Sequence, residues 1–124
     1  MERAFARVSE ELRDGQLVCI FPEGRITDTG EMYPFRPGVS RILARDPVPV
    51  VPIALNSGEL WPRRSFVKRP GTITVSIGKP ISPEGRTADQ VAALVESWIE
   101  NEMRRLAPHR YSGPYEPQRE PTPA

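Results

Sequence analysis

The chain holds one cysteine, Cys19, and one histidine, His109, in 124 residues. A single thiol excludes an intramolecular disulfide and a cysteine-rich metal site. No long uncharged apolar run occurs, so neither a membrane span nor a secretory signal peptide is expected. Charge of one sign is missing as well: 17 basic and 16 acidic residues leave a net charge of +1, which excludes a general polyanion binder. Proline, by contrast, is abundant, with 15 residues that flank expected strands and crowd the end of the chain. The length suits one small domain, near the size at which a single core is comfortable.

Apolar periodicity divides this length into alternating elements. Phe5, Val8 and Leu12 recur at helical spacing and predict a helix over 2–13, with Gly15 as its C′ residue. Leu17 to Phe21 is a short continuous apolar run, the pattern of a strand buried on both faces, and Cys19 within it reads as a small apolar filler. Residues 22–36 mix Gly, Pro, Asp and Thr and read as a loop with its tight turn at Thr29-Gly30. Pro37 suits a first helical position, and Val39 to Ala44 predict a short helix ending near Asp46-Pro47. Val48 to Leu55 reads as a second buried strand whose pairing Pro49 and Pro52 limit.

Residues 56–71 form a long basic loop. Thr72 to Ile77 alternates as a strand with one polar face should, and Gly78-Lys79-Pro80 ends it. Thr87-Ala88-Asp89-Gln90 is a capping-box pattern, and Val91, Leu94, Val95, Trp98, Met103 and Leu106 mark the apolar side of the helix it opens. The expected architecture is therefore α/β, a mixed sheet flanked by helices over 1–106, followed by a Pro-rich disordered tail over 107–124. Three strands are few, and two of them are apolar on both faces, so they need more cover than three helices provide.

The run Phe21-Pro22-Glu23-Gly24-Arg25 concentrates chemistry at the carboxyl end of the first expected strand, where open α/β sheets collect ligands. Pro22 stops ladder pairing, and Gly24 lets backbone approach a ligand closely. Arg25 can present a planar fork to a phosphate, which lysine cannot match. Glu23 would repel a phosphate directly; fixing an arginine or accepting from a ligand hydroxyl suits it better. Taken alone, these residues read first as a strand-ending turn closed by a surface ion pair.

In order along the chain, Phe21-Pro22-Glu23-Gly24, Phe35-Arg36-Pro37-Gly38, the strand around Val51-Pro52-Ile53 and, weakly, Gly78-Lys79-Pro80 resemble the glycerolipid (lysophosphatidate-type) acyltransferase family. The resemblance covers about residues 3–82 and implies a partial acyltransferase domain, the carboxyl-terminal part. It implies transfer of a fatty acyl group from acyl-coenzyme A or an acyl-carrier protein, as co-substrate and with no bound cofactor, to a lysophospholipid hydroxyl. It makes Arg25 the ligand of the acceptor phosphate and Arg36 a second candidate, with Glu23 and Gly24 shaping the pocket and Pro52 its wall. One departure stands out. The family's common form is Phe-Pro-Glu-Gly-Thr-Arg-Ser, whereas Arg25 here follows Gly24 directly, a displacement of about 3.5 Å along the chain.

No catalytic residue is assigned within the chain. Acyl transfer needs a base for the hydroxyl proton, normally an imidazole oriented by an acid. The family's His-x-x-x-x-Asp, expected upstream of the Phe-Pro-Glu-Gly corner, is absent. His109 lies beyond the last helix with Pro114 where an acid would stand, and reads as a solvated tail residue. The implied partner is therefore a missing amino-terminal half or a fused module, without which the chain is expected to be inactive. The alternative is a non-catalytic module that binds phospholipid headgroups or docks on a partner. Trp61, Arg63, Arg64, Phe66, Lys68 and Arg69 suit either an anionic membrane surface or a solvated loop. The expected location is cytoplasmic, peripheral to the inner face of the membrane; nucleic acid is not an expected partner.

Overall fold

A computed structural model of the chain describes residues 2–22, 37–57, 66–67 and 70–117. The expected first helix is present as α1, Glu2–Arg13. It stops where Gly15 takes a left-handed φ of 80°, a conformation open to glycine, and the Gln16 N–H reaches back to the Glu11 carbonyl at 2.9 Å. The short helix α2, Gly38–Arg45, has Pro37 as its N-cap residue, so it starts one residue later than a proline at the first helical position would set. The long helix α3, Ala88–Leu106, opens on the expected capping box. There Gln90 N–H donates to Thr87 Oγ1 at 3.2 Å, and Thr87 N–H donates to Gln90 Oε1 at 2.9 Å.

The core lies between α2 and α3. Val39 and Leu43, four residues apart, meet Val91 and Val95, also four apart, so each helix presents one face to the other. Val48, Val50, Ile81, Ala88, Ala92 and Ile99 pack around this quartet. Each buried aliphatic side chain contributes roughly 1.5–3 kcal/mol, so this small cluster carries much of the fold. α1 is held at its far end by polar contacts instead. Buried Ser9 donates to Asp46, the residue that caps α2, and Arg13 Nε approaches the same carboxylate at 3.3 Å.

The strands are shorter than expected. β1 is Ile53–Leu55, β2 is Val75–Ile77, and they pair antiparallel with Ile53 opposite Ile77 and Leu55 opposite Val75. The pairing described is antiparallel only. Beyond it, Val50 and Ile81 form an isolated bridge. From 50 to 53 one segment advances three residues, while from 77 to 81 the other advances four, so residues 78–80 bulge.

Several expectations are overturned. Leu17 to Phe21 forms no strand, and Leu17, Cys19, Ile20 and Phe21 are exposed, so Cys19 is not a core filler. The strand pattern was real, but no neighbouring strand pairs with this run among the described residues. In β2 the alternation holds with its direction reversed. Val75 and Ile77 are exposed, while Ser76 turns toward α3 and donates to Glu102 Oε2 at 2.6 Å. β1 matches it, with Ala54 buried and Ile53 and Leu55 outward. Leu94, expected on the buried side of α3, is also exposed.

The first part of the expected disordered tail is ordered. Pro108–Arg110 make a 3-10 turn, and Arg104 then gathers the chain beyond it. Its Nη1 donates to the buried Glu100 carboxylate at 2.8 Å, and its Nε donates to the Gly113 carbonyl at 2.9 Å. The guanidinium lies 4.5 Å from the Tyr111 ring centroid and 5.6 Å from that of Tyr115. Polar composition concealed this clasp, because one arginine supplies contacts that a hydrophobic pattern cannot show.

Arg104→Ala leaves Glu100 buried without its partner and should cost about 3 kcal/mol. Urea unfolding would show the loss, and hydrogen exchange should quicken over residues 111–115. Burial, aided by the Glu96 carboxylate, pushes the Tyr115 phenol up to about 12 from its ordinary 10.0. The folded state therefore holds the Tyr115 proton more tightly than the unfolded chain does. The associated stability is complete below about pH 10 and falls as pH rises toward 12. A phenolate absorbance titration should lose its highest step in Tyr115→Phe.

Candidate functional site

Glu23, Gly24, Arg25 and Arg36 lie outside the described residues, as do Trp61, Arg63, Arg64, Lys68 and Arg69 of the basic loop. What is described is the frame around them. Residues 23–36 leave Pro22 and return at Pro37, directly before the first turn of α2. That turn has no acidic residue, and Pro37 supplies no capping side-chain hydrogen bond. Backbone N–H groups at such a helix start complement an anion when one is brought to them.

Pro52, the expected pocket wall, is fully buried. Its carbonyl accepts the Gly78 N–H at 2.9 Å. Gly78 sits where β2 enters the bulge, and Trp98 of α3 presses against it. A Cβ at this position would meet Trp98 Cε2 at 2.7 Å and Pro52 Cγ at 2.9 Å. Glycine is required here for close approach, which accounts physically for Gly78. The sequence pattern makes Gly78 a strand end and Trp98 core. The contact joining them was missed because nothing in the local pattern ties residue 78 to residue 98.

Beside the bulge an open groove of about 750 Å³ runs between residues 76–82 and α3. Lys79 and Arg86 stand on it with apolar Trp98 and Leu94, and Glu102 is its acid. The Arg105 guanidinium, and then the Ser76 hydroxyl, hold the Glu102 carboxyl below its ordinary range. Glu102 is thus committed to its charged, hydrogen-bonded form and is poorly placed to act as a base near neutral pH. Among the described residues no group of three or more His, Cys, Asp and Glu could hold a metal ion. His109 is exposed on the 3-10 turn after α3. The described residues thus provide a close-packed contact at Gly78 and an open groove beside it, with His109 standing apart on the turn after α3.

Known proteins place this arrangement. The family profile described as Acyltransferase matches residues 1–56. A 1-acyl-sn-glycerol-3-phosphate acyltransferase from Pseudomonas aeruginosa is 37% identical over 102 residues, 80% of this chain and 40% of that protein. The mouse 1-acyl-sn-glycerol-3-phosphate acyltransferase alpha is 36% identical over 83 residues, 64% of this chain and 29% of that protein. In structure, the chain is similar to the 1-acyl-sn-glycerophosphate (LPA) acyltransferase PlsC of Thermotoga maritima. The TM-score is 0.76 at 25% identity, over 84% of this chain and 44% of that one. The chain therefore spans less than half the length of these relatives.

Gly78→Ala would force Trp98 or Pro52 to shift, and overpacking of this kind costs about 1–3 kcal/mol. Thermal unfolding should record the loss, and Trp98→Leu combined with Gly78→Ala should recover part of it.

Proposed function

This chain belongs to the glycerolipid (lysophosphatidate-type) acyltransferase family, and we propose that it carries the acceptor-binding part of such an enzyme. The observation that carries this reading is that the family match over 1–56 contains the whole Phe21-Pro22-Glu23-Gly24-Arg25 corner and Arg36. Arg25 binds the acceptor's phosphate in two parallel hydrogen bonds, with Arg36 as a second cation. Glu23 orients an arginine or accepts from the acceptor's hydroxyl, and Gly24 gives the ligand room. Pro52, buried against Gly78 at the bulge, is the fixed wall against which this surface is built.

The reaction joins the acceptor's hydroxyl oxygen to the carbonyl carbon of an acyl thioester, from acyl-coenzyme A or an acyl-carrier protein. The carbon–sulfur bond breaks, the thiol leaves, and the hydroxyl proton passes to a base. This chain's single histidine stands on the turn after α3, so the base comes from polypeptide outside this chain. The work takes place at the inner face of a membrane, with the chain peripheral to it. No described helix is long and apolar enough to cross a membrane. A second reading, headgroup binding without turnover, is favoured by the same lone histidine.

Binding of lysophosphatidate to the purified chain, followed by calorimetry, should be saturable and weaken in Arg25→Ala. Loss of a charge-assisted pair costs about 1.5–3 kcal/mol, or roughly ten- to hundredfold in Kd. Acyl transfer by the chain alone should be undetectable, and should appear when polypeptide bearing the His-x-x-x-x-Asp motif is supplied. Binding unchanged by Arg25→Ala would remove Arg25 from the site. Transfer by the chain alone would remove the requirement for an outside base.

A further inference from the structure

The tetrapeptide Pro-Glu-Gly-Arg occurs twice in this chain. It stands at Pro22-Glu23-Gly24-Arg25, the corner assigned to the acceptor's phosphate, and again at Pro83-Glu84-Gly85-Arg86, among the described residues. The second copy is a tight turn. The Arg86 N–H donates to the Pro83 carbonyl at 3.2 Å, and Gly85 supplies the left-handed φ of 69° at the turn's third position. Ser82 Oγ accepts the Glu84 N–H at 3.2 Å, and Arg86 Nη1 donates to the Ser82 carbonyl at 2.9 Å. One edge of the guanidinium is thereby fixed, which leaves its other N–H groups for a ligand.

Arg86 lines the open groove of about 750 Å³ beside α3, together with Lys79. Both side chains are exposed, and among the described residues neither has an ion-pair partner. Glu102, the acid on the groove, does not neutralise them, because it is matched by Arg105 at 2.7 Å and by the Ser76 hydroxyl. The turn's own acid, Glu84, is exposed and does not line the groove. Two such cations complement a phosphate, which a guanidinium meets with parallel donors and an ammonium meets as a point charge. Beside them lie Trp98 and Leu94, the latter 43% exposed. An apolar lining with a few placed polar groups is the usual form of a small-molecule site.

We propose that the Arg86–Lys79 groove is a second phosphate site, taking a phosphate ester carried on an aliphatic stem. The two cations hold the phosphate, and the stem lies along Leu94 and Trp98. This rests on the acceptor-binding reading for the role of the first corner and adds a second one. Acyl transfer brings together two molecules of this chemistry. One is the lysophospholipid acceptor; the other is the donor, whose coenzyme A or carrier-protein arm has a phosphate ester on a chain of methylene and amide groups. Gly78 lines the groove and donates its N–H to the Pro52 carbonyl, so the groove adjoins the Pro52 wall.

Proton–nitrogen NMR of the 124-residue chain reads the groove through the amides of Gly78, Lys79 and Arg86 and the Trp98 indole N–H. Coenzyme A, monomeric lysophosphatidate and inorganic phosphate are titrated separately, the lysophosphatidate also into Arg25→Ala. At least one of the two esters should shift these signals saturably. Arg86→Ala should weaken that binding about tenfold or more, Lys79→Ala about threefold or more, and Arg86→Lys should restore only part. The same spectra show that each variant is folded. Saturation by coenzyme A identifies the donor's arm, and saturation by lysophosphatidate that survives Arg25→Ala identifies a lysophospholipid. Groove signals that move with neither ester overturn the proposal, as does a response unchanged in Arg86→Ala. Inorganic phosphate bound as tightly as the esters also overturns it, because the apolar wall would then contribute nothing. A silent groove, with lysophosphatidate binding weakened in Arg25→Ala, sinks this site and keeps the acceptor-binding reading. Groove shifts that depend on Arg86, with lysophosphatidate binding indifferent to Arg25→Ala, keep this site and sink that reading.

Discussion

The seam between α2 and α3 is the constraint on which the remaining structure depends. Val39 and Leu43 on one side, and Val91 and Val95 on the other, make the contiguous buried cluster of the described residues. Because α2 has only eight residues, it could not persist as an isolated helix in water. Packing on α3 keeps it formed. Once α2 is fixed, Asp46 at its end is in position to hold Ser9 and Arg13 of α1. Its other end, at Pro37, fixes where the Phe-Pro-Glu-Gly corner and its following loop must return.

α3 serves two further layers. Trp98 meets Gly78 so closely that no side chain fits between them, which locks the bulged strand and buries Pro52. Glu102 draws Ser76 toward the helix by a hydrogen bond, and this orients β2 with its polar position inward. The inward side of the pair is therefore Ala54 and Ser76, small and partly polar, while the larger aliphatic side chains face out. A strand turned this way is built for two-sided cover.

Much of this was legible in the residues. Helical spacing located α1, α2 and α3, and the Thr87–Gln90 box fixed the start of α3, because both signals are local. The ordered Phe21–Gly24, Arg36 and Pro52 pattern identified the family without any coordinates. Strand lengths and faces were not legible. Period two shows that Val75, Ser76 and Ile77 alternate, but the side on which a helix will lie depends on a partner 20 or more residues away. Leu17–Phe21 has a strand's composition, yet pairing needs a neighbour, and none is present among the described residues. The tail clasp escaped for a related reason, since Arg104 holds Gly113 and two tyrosines by geometry that composition does not encode.

By itself the sequence determined the helices and the family. Each of these depends on residue identity or on neighbours within one or two turns. The tertiary structure alone decided that Gly78 must admit Trp98, that Ser76 faces inward, that Arg104 gathers the chain after α3, and that an aliphatic sheet face is left open. Those outcomes depend on which surfaces meet across long separations in the chain, and close packing allows few ways for them to do so.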